Sequence, residues 1–122
     1  MEIAMIGLGR MGGNMARRLM RSDIRVVGFD QSPATVKQLE AEGLVGAASL
    51  NDLDKLLAAP RMVWLMLPAG PITEQTLSTL AEVLSPGDLL IDGGNAYYKD
   101  SQRRAAMLAE KGLDFADVGV SG

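Results

Sequence analysis

The chain has 122 residues, 48% of them apolar, which suits one compact domain with a sizeable buried core. A net charge of −3 gives no electrostatic basis for binding nucleic acid or an anionic membrane. Cysteine is absent, which excludes a disulfide framework and a thiolate zinc site, and with no histidine any proton transfer here needs another group.

The opening "MEIAMIGLGR" lacks the basic start and long apolar run of a signal peptide, and no apolar stretch reaches the roughly 20 residues of a membrane span. With no cysteine, this points to the cytoplasm. Residues Glu2 to Ile6 form a strand-like run. From Met11 onward Met11, Met15, Ala16, Leu19 and Met20 recur at three-to-four spacing, one face of a helix, with Arg10, Arg17, Arg18 and Arg21 largely outside it. "IRVVGFD", Ile24 to Asp30, reads as a second buried strand. "SPATVKQLEAEG" is a helix with both ends marked: Ser32 as N-cap, Pro33 at the first helical position, Gly43 just past the end.

A short strand is expected near Leu44 to Ala47, then a small helix capped by Ser49 and running to Leu57. Arg61 to Leu67 is an apolar strand stopped by Pro68, Gly70 and Pro71. Thr73 to Leu84 reads as helix, "SPGD" as a turn, Leu89 to Asp92 as strand, about Lys99 to Lys111 as helix ended by Gly112, and "LDFADV" as a last strand. The methionines at helical spacing and Trp64 read as core packing, and Arg103 and Arg104 as a solvated helix face. Near-continuous apolar strands separated by helices are buried on both faces. They predict a doubly wound, mainly parallel α/β sheet spanning residues 1–122 as one domain.

Gly7, Gly9 and Gly12 form G-x-G-x-x-G between the first strand and the first helix. In that context Gly7 permits a tight turn, Gly9 lets a pyrophosphate approach the backbone, and Gly12 lets helix and strand pack closely. The helix start then offers free N–H groups and a partial positive charge to the phosphates. Asp30 closes the second strand eighteen positions after Gly12, where a carboxylate can accept hydrogen bonds from adenosine ribose hydroxyls. It would repel the extra phosphate of NADP, and Gln31 supplies no guanidinium to compensate. The expected cofactor is therefore NAD rather than NADP. Asp30 can also help cap the following helix.

"GLGRMGGNMARRL" (Gly7 to Leu19), "MLPAG" (Met66 to Gly70), "IDGGNAYYKDSQRR" (Ile91 to Arg104) and "DVGVSG" (Asp117 to Gly122) together resemble the 6-phosphogluconate dehydrogenase family, within the wider β-hydroxyacid dehydrogenases. The resemblance covers essentially the whole chain. It implies a Rossmann-type dinucleotide-binding domain, with Gly7, Leu8, Gly9, Arg10, Met11 and Gly12 on the pyrophosphate. Asp30, Gln31 and Ser32 would surround the adenosine ribose, and Leu67, Pro68 and Ala69 would line the cofactor. Asn95 would touch nicotinamide ribose and substrate, and Ser121 and Gly122 would begin the substrate loop. NADP-dependent members resemble "NRT" where this chain has "DQS", and many have lysine in place of Pro68, so this chain looks like the shorter, NAD-preferring branch.

The implied reaction is oxidative decarboxylation of 6-phosphogluconate, a phosphosugar acid, to ribulose 5-phosphate in the pentose phosphate pathway. The family's proton-transferring lysine and glutamate lie beyond Gly122, so no catalytic residue and no metal ligand is assigned, and the chain alone is expected to bind NAD without appreciable turnover. A helical domain that follows in the family implies a homo-oligomeric parent. Two other readings stand beside this one: a dehydrogenase of another β-hydroxyacid such as gluconate, and a nucleotide-sensing module without chemistry.

Overall fold

The computed structural model describes residues 1–67, 70–94 and 98–118, the side chains of 98–101 and 117 excepted. The expectations for Pro68, Ala69, Asn95, Ser121 and Gly122 lie outside those residues. Six strands occur in chain order: β1 (Glu2–Ile6), β2 (Arg25–Phe29), β3 (Val45–Gly46), β4 (Met62–Leu65), β5 (Leu89–Asp92) and β6 (Asp114–Asp117). Between them lie α1 (Arg10–Arg21), α2 (Pro33–Glu40), a 3-10 turn (Leu50–Asp52) continuing into α3 (Leu53–Leu56), α4 (Pro71–Val83) and α5 (Tyr98–Glu110). All pairings are parallel, in the order β3-β2-β1-β4-β5-β6. Chain order thus runs outward from β1 on one side and from β4 on the other.

Both faces of the sheet are covered, which is why its strands do not alternate apolar with polar residues. Along β1, Ile3 and Met5 point to a cluster built with Ala16 of α1 and Val36 and Leu39 of α2. Ala4 and Ile6 point the other way, to a larger cluster with Leu53 of α3, Leu77 and Leu80 of α4 and Leu108 of α5. Met15, Leu19 and Met20 pack against the first cluster as their spacing predicts, and Trp64 of the apolar strand β4 packs there too. No helix among the described residues is long and apolar enough to cross a membrane.

Two local expectations are corrected. Ser49 makes no capping hydrogen bond; the turn it precedes is 3-10 and too short to leave many amides in need of one. Helix α4 begins at Pro71 rather than Thr73, because proline has no N–H to leave unpaired at a first helical position and Gly70 (φ +127°) turns the chain into it. Ser32 caps α2 as expected, its Oγ accepting from the Thr35 N–H at 3.4 Å.

The end of the sheet opposite the glycine turn is tied by the wholly buried Asp88, just before β5. Its Oδ1 accepts from the Arg61 N–H at 2.7 Å, and its Oδ2 accepts from the Ser85 N–H at 2.9 Å and the Arg61 guanidinium at 3.2 Å. Burial pushes this carboxyl up, but the hydrogen bonds from Arg61 and Ser85 and the arginine charge outweigh it, leaving the group below its ordinary value.

Candidate dinucleotide site

The order of strands reverses between β1 and β4, and ligands in open α/β sheets bind in the crevice at the carboxyl ends of such a pair. The glycine turn sits there. The Gly7 N–H donates to Phe29 O at 2.9 Å, one step past the end of β1, and the Met66 N–H donates to Ile6 O at 2.8 Å from the other side. Gly7 then takes φ +94°, which favours glycine, and a Cβ on it would stand 2.5 Å from the Met66 carbonyl oxygen. A Cβ on Gly12 would collide with the Gly7 carbonyl oxygen, so the first turn of α1 rests directly on the bend that precedes it.

Gly9 is different. It is the N-cap of α1 at φ −66°, ψ −162°, an extended conformation open to any residue, and a Cβ built on it meets no atom within 4 Å. Neither backbone nor packing requires glycine there. The first turn of α1 carries no acidic side chain, and Gly9 has no side chain with which to cap its amides. The result is a bare, electropositive helix start with open space above it, which a diphosphate fits and a methyl group would fill.

Asp30 comes directly after β2, and both its oxygens are engaged: Oδ1 accepts from the Leu8 N–H at 2.8 Å and Oδ2 from the Ser32 N–H at 2.9 Å. Its carboxylate therefore ties the glycine turn to the start of α2, with lone pairs left over for further donors. Asp30 and Gln31 border a hollow of about 230 Å³ that also contains Gly7, Phe29, Leu50 and Leu67, with Ile72, Gln75, Thr76 and Thr79 of α4. The structure thus brings Gly7, Asp30, Gln31 and Leu67 together. Arg10 and Gln31 are exposed, and Met11 is half-buried beside the turn.

The α4 residues of that hollow were not singled out by the sequence. Their signal is a polar edge, Gln75, Thr76 and Thr79, on a helix whose Leu77 and Leu80 face the core. A hollow of about 270 Å³ bordered by Arg17, Met20, Arg21 and Glu42 lies elsewhere on α1 and shares no residue with this site.

The solvated-face reading of Arg104 is overturned, whereas Arg103 is exposed as expected. Arg104 is 3% exposed, its Nη1 donating to Asp92 Oδ2 at 3.2 Å and its Nε to Glu74 Oε1 at 2.8 Å. The α5 stripe containing Arg104 and Leu108, four residues apart, turns inward onto the end of β5, where buried Asp92 requires a counter-charge. Trp64 packs in β4 as predicted, though its buried Nε1 has no hydrogen-bond partner among the described residues. Among those residues there is no cluster of three or more potential metal ligands.

A parallel sheet of this order, with a glycine turn at its reversal point and an acid after the second strand, defines a dinucleotide-binding domain of the Rossmann type. The family profile described as the NAD binding domain of 6-phosphogluconate dehydrogenase matches residues 2–122, and the chain belongs to that family. It is 40% identical over 125 residues to a Bacillus subtilis 6-phosphogluconate dehydrogenase, NADP(+)-dependent and decarboxylating, covering 99% of this chain and 27% of the relative. A Mycobacterium tuberculosis 3-hydroxyisobutyrate dehydrogenase superposes with a TM-score of 0.87 at 28% identity, over 99% of this chain and 40% of that one. A Plasmodium falciparum 6-phosphogluconate dehydrogenase, described with its cofactor NADP+ and with 6-phosphogluconate, gives 0.82 at 30%, over 94% and 26%. The chain spans between 26% and 41% of the length of the curated relatives it matches.

Proposed function

We propose that this chain is the NAD-binding part of a decarboxylating 6-phosphogluconate dehydrogenase. The observation that carries the reading is Gly9: a glycine required by no neighbour, opening a bare helix start at the sheet's reversal point. The amides of that turn would hold the diphosphate, Asp30 the adenosine ribose, and the hollow between Leu67 and α4 the adenine. A nicotinamide bound there would supply an acceptor for the hydride of the substrate's hydroxyl-bearing carbon. The residues of this chain bind and orient; the oxidation needs a base for the hydroxyl proton, and the loss of carbon dioxide is followed by protonation of an enediol. In this reading those groups belong to the downstream lysine and glutamate that the resemblance implies. The phosphosugar acid, the homo-oligomeric parent and the cytoplasmic setting are parts of the same proposal.

The way Asp30 is held supports NAD rather than NADP. With each oxygen fixed by a backbone amide, the carboxylate has no freedom to swing away from a 2′-phosphate. The hollow on its other side is bordered by one cation, Lys37, against two carboxylates, Asp30 and Glu40. A dianionic phosphate about 6 Å from one carboxylate is disfavoured by roughly 1.4 kcal/mol even in a water-like dielectric, about tenfold in affinity. Titration calorimetry with both coenzymes at one ionic strength tests this. NAD is expected to bind at least about tenfold more tightly; equal or tighter NADP binding overturns the preference, and no binding of either overturns the function.

The 3-hydroxyisobutyrate dehydrogenase superposition favours one second reading, a parent acting on another β-hydroxyacid. Steady-state rates of the full-length parent with 6-phosphogluconate, gluconate and 3-hydroxyisobutyrate separate the two.

A further inference from the structure

We infer that Arg104 is a positioning residue that sets the nicotinamide end of the site by locking the bend after β5 to the first turn of α4. The inference rests on the dinucleotide reading of the site. Strands β4 and β5 end level with one another, Leu65 opposite Asp92, and each runs directly into a segment on the ligand side of the sheet. The segment leaving β5 is held from below. Asp92 Oδ1 accepts from the Gly94 N–H at 3.0 Å, closing a tight bend, while the Gly93 N–H donates to Leu65 O at 2.8 Å. A Cβ on Gly94 would stand 2.5 Å from the Leu67 carbonyl oxygen, so this bend lies against the residue that borders the hollow beside Asp30.

Arg104 fastens the other oxygen of Asp92 and reaches across to Glu74, with Nε and Nη2 each 2.8 Å from Glu74 Oε1. Glu74 stands in the first turn of α4, the helix that supplies Ile72, Gln75, Thr76 and Thr79 to the hollow. A dinucleotide lying across the reversal point with its adenosine on the β2 side has its nicotinamide half on the β4–β5 side, and one planar guanidinium joins the bend there to the helix beside the adenine end. A lysine has a single point of charge and no such fork, so it cannot hold both carboxylates in one plane. Buried ion pairs add little net stability over an apolar replacement; what this one supplies is a fixed relation between two loops.

The test compares NAD with ADP, which lacks the nicotinamide ribose but keeps the diphosphate and adenosine. Calorimetric titrations of both ligands are made with the wild-type chain, Arg104→Lys and Glu74→Gln, each shown by thermal melting to be folded. Arg103→Ala, an exposed partner of the same glutamate, serves as the control. For Arg104→Lys and Glu74→Gln, NAD is expected to weaken about tenfold, the equivalent of one mispositioned hydrogen bond, with ADP unchanged. Equal weakening of both ligands, or no change in NAD, overturns the inference and leaves Arg104 a structural partner only. If Arg104→Lys does not fold, Glu74→Gln decides, because its side chain is 35% exposed and its loss leaves Arg104 still paired with Asp92. Failure of the wild-type chain to bind either ligand is seen before any substitution, and it removes the proposed function itself.

Discussion

Replacing Gly9 with alanine separates folding from binding. The new methyl group meets no protein atom within 4 Å, and φ −66°, ψ −162° is accessible to alanine. Folding therefore incurs no steric penalty, while the unfolded chain loses some of its freedom, an effect of about 0.4–1 kcal/mol in favour of the folded state. For a chain of this length that is a rise in Tm of about 2–4 °C. The same methyl group occupies the space over the first turn of α1 where a diphosphate would sit. Loss of one charge-assisted hydrogen bond is worth about 1.5–3 kcal/mol, which weakens NAD by roughly 10- to 150-fold. Thermal melting and calorimetric titration on one preparation measure both quantities. Undiminished NAD affinity in a folded Gly9→Ala chain would place the diphosphate elsewhere, and a fall in Tm would show that Gly9 serves packing after all.

The neighbouring substitution should behave in the opposite way. Gly12→Ala drives its methyl group into the Gly7 carbonyl, a backbone atom that cannot turn aside, and is expected to cost about 3 kcal/mol and lower Tm by roughly 10 °C; a Tm within error of wild type would refute that packing. Asp30→Ala frees the Leu8 and Ser32 amides, so a loss of about 1–3 kcal/mol in urea unfolding should accompany a higher NADP-to-NAD affinity ratio. An unchanged ratio would show that the carboxylate does not face the 2′ position. Asp88 titrates below its ordinary value of 3.8 in the folded chain, so its contribution is complete well above that value and is lost as pH falls through the lower folded value. Asp88→Asn should cost about 3 kcal/mol near neutrality, with wild type and variant converging in acid; a gap independent of pH would contradict the assignment.

The features legible in the sequence were the local ones. Gly7, Gly9, Gly12 and Asp30 are fixed by spacing along one strand-turn-helix-strand unit, and the structure shows the tight turn at Gly7, the close packing at Gly12 and Asp30 beside them. Strand runs read slightly too long, Ile24 to Asp30 against Arg25–Phe29 and Arg61 to Leu67 against Met62–Leu65. Of the five surplus residues, Ile24 and Arg61 precede their strands, while Asp30, Met66 and Leu67 leave the ladder at the end where the candidate site lies. Arg104 reads as solvated because a charged residue on an amphipathic helix ordinarily faces water, and nothing nearby in the chain reveals otherwise. Its partners stand 12 and 30 residues away, on a strand end and another helix, and only the folded sheet brings them together. Gln75, Thr76 and Thr79 escaped for the same reason: the hollow they border exists only when α4 packs beside the 3-10 turn.

The tether between Asp30 and the Leu8 amide also constrains how such a protein can diverge. A mutational path that removes the side-chain oxygen at position 30, to welcome a more anionic coenzyme, gives up an anchor of the glycine turn at its first step, whereas asparagine there sheds the charge and keeps an acceptor. Laboratory redesign of coenzyme choice should start there, from the turn, and only afterwards alter the charge.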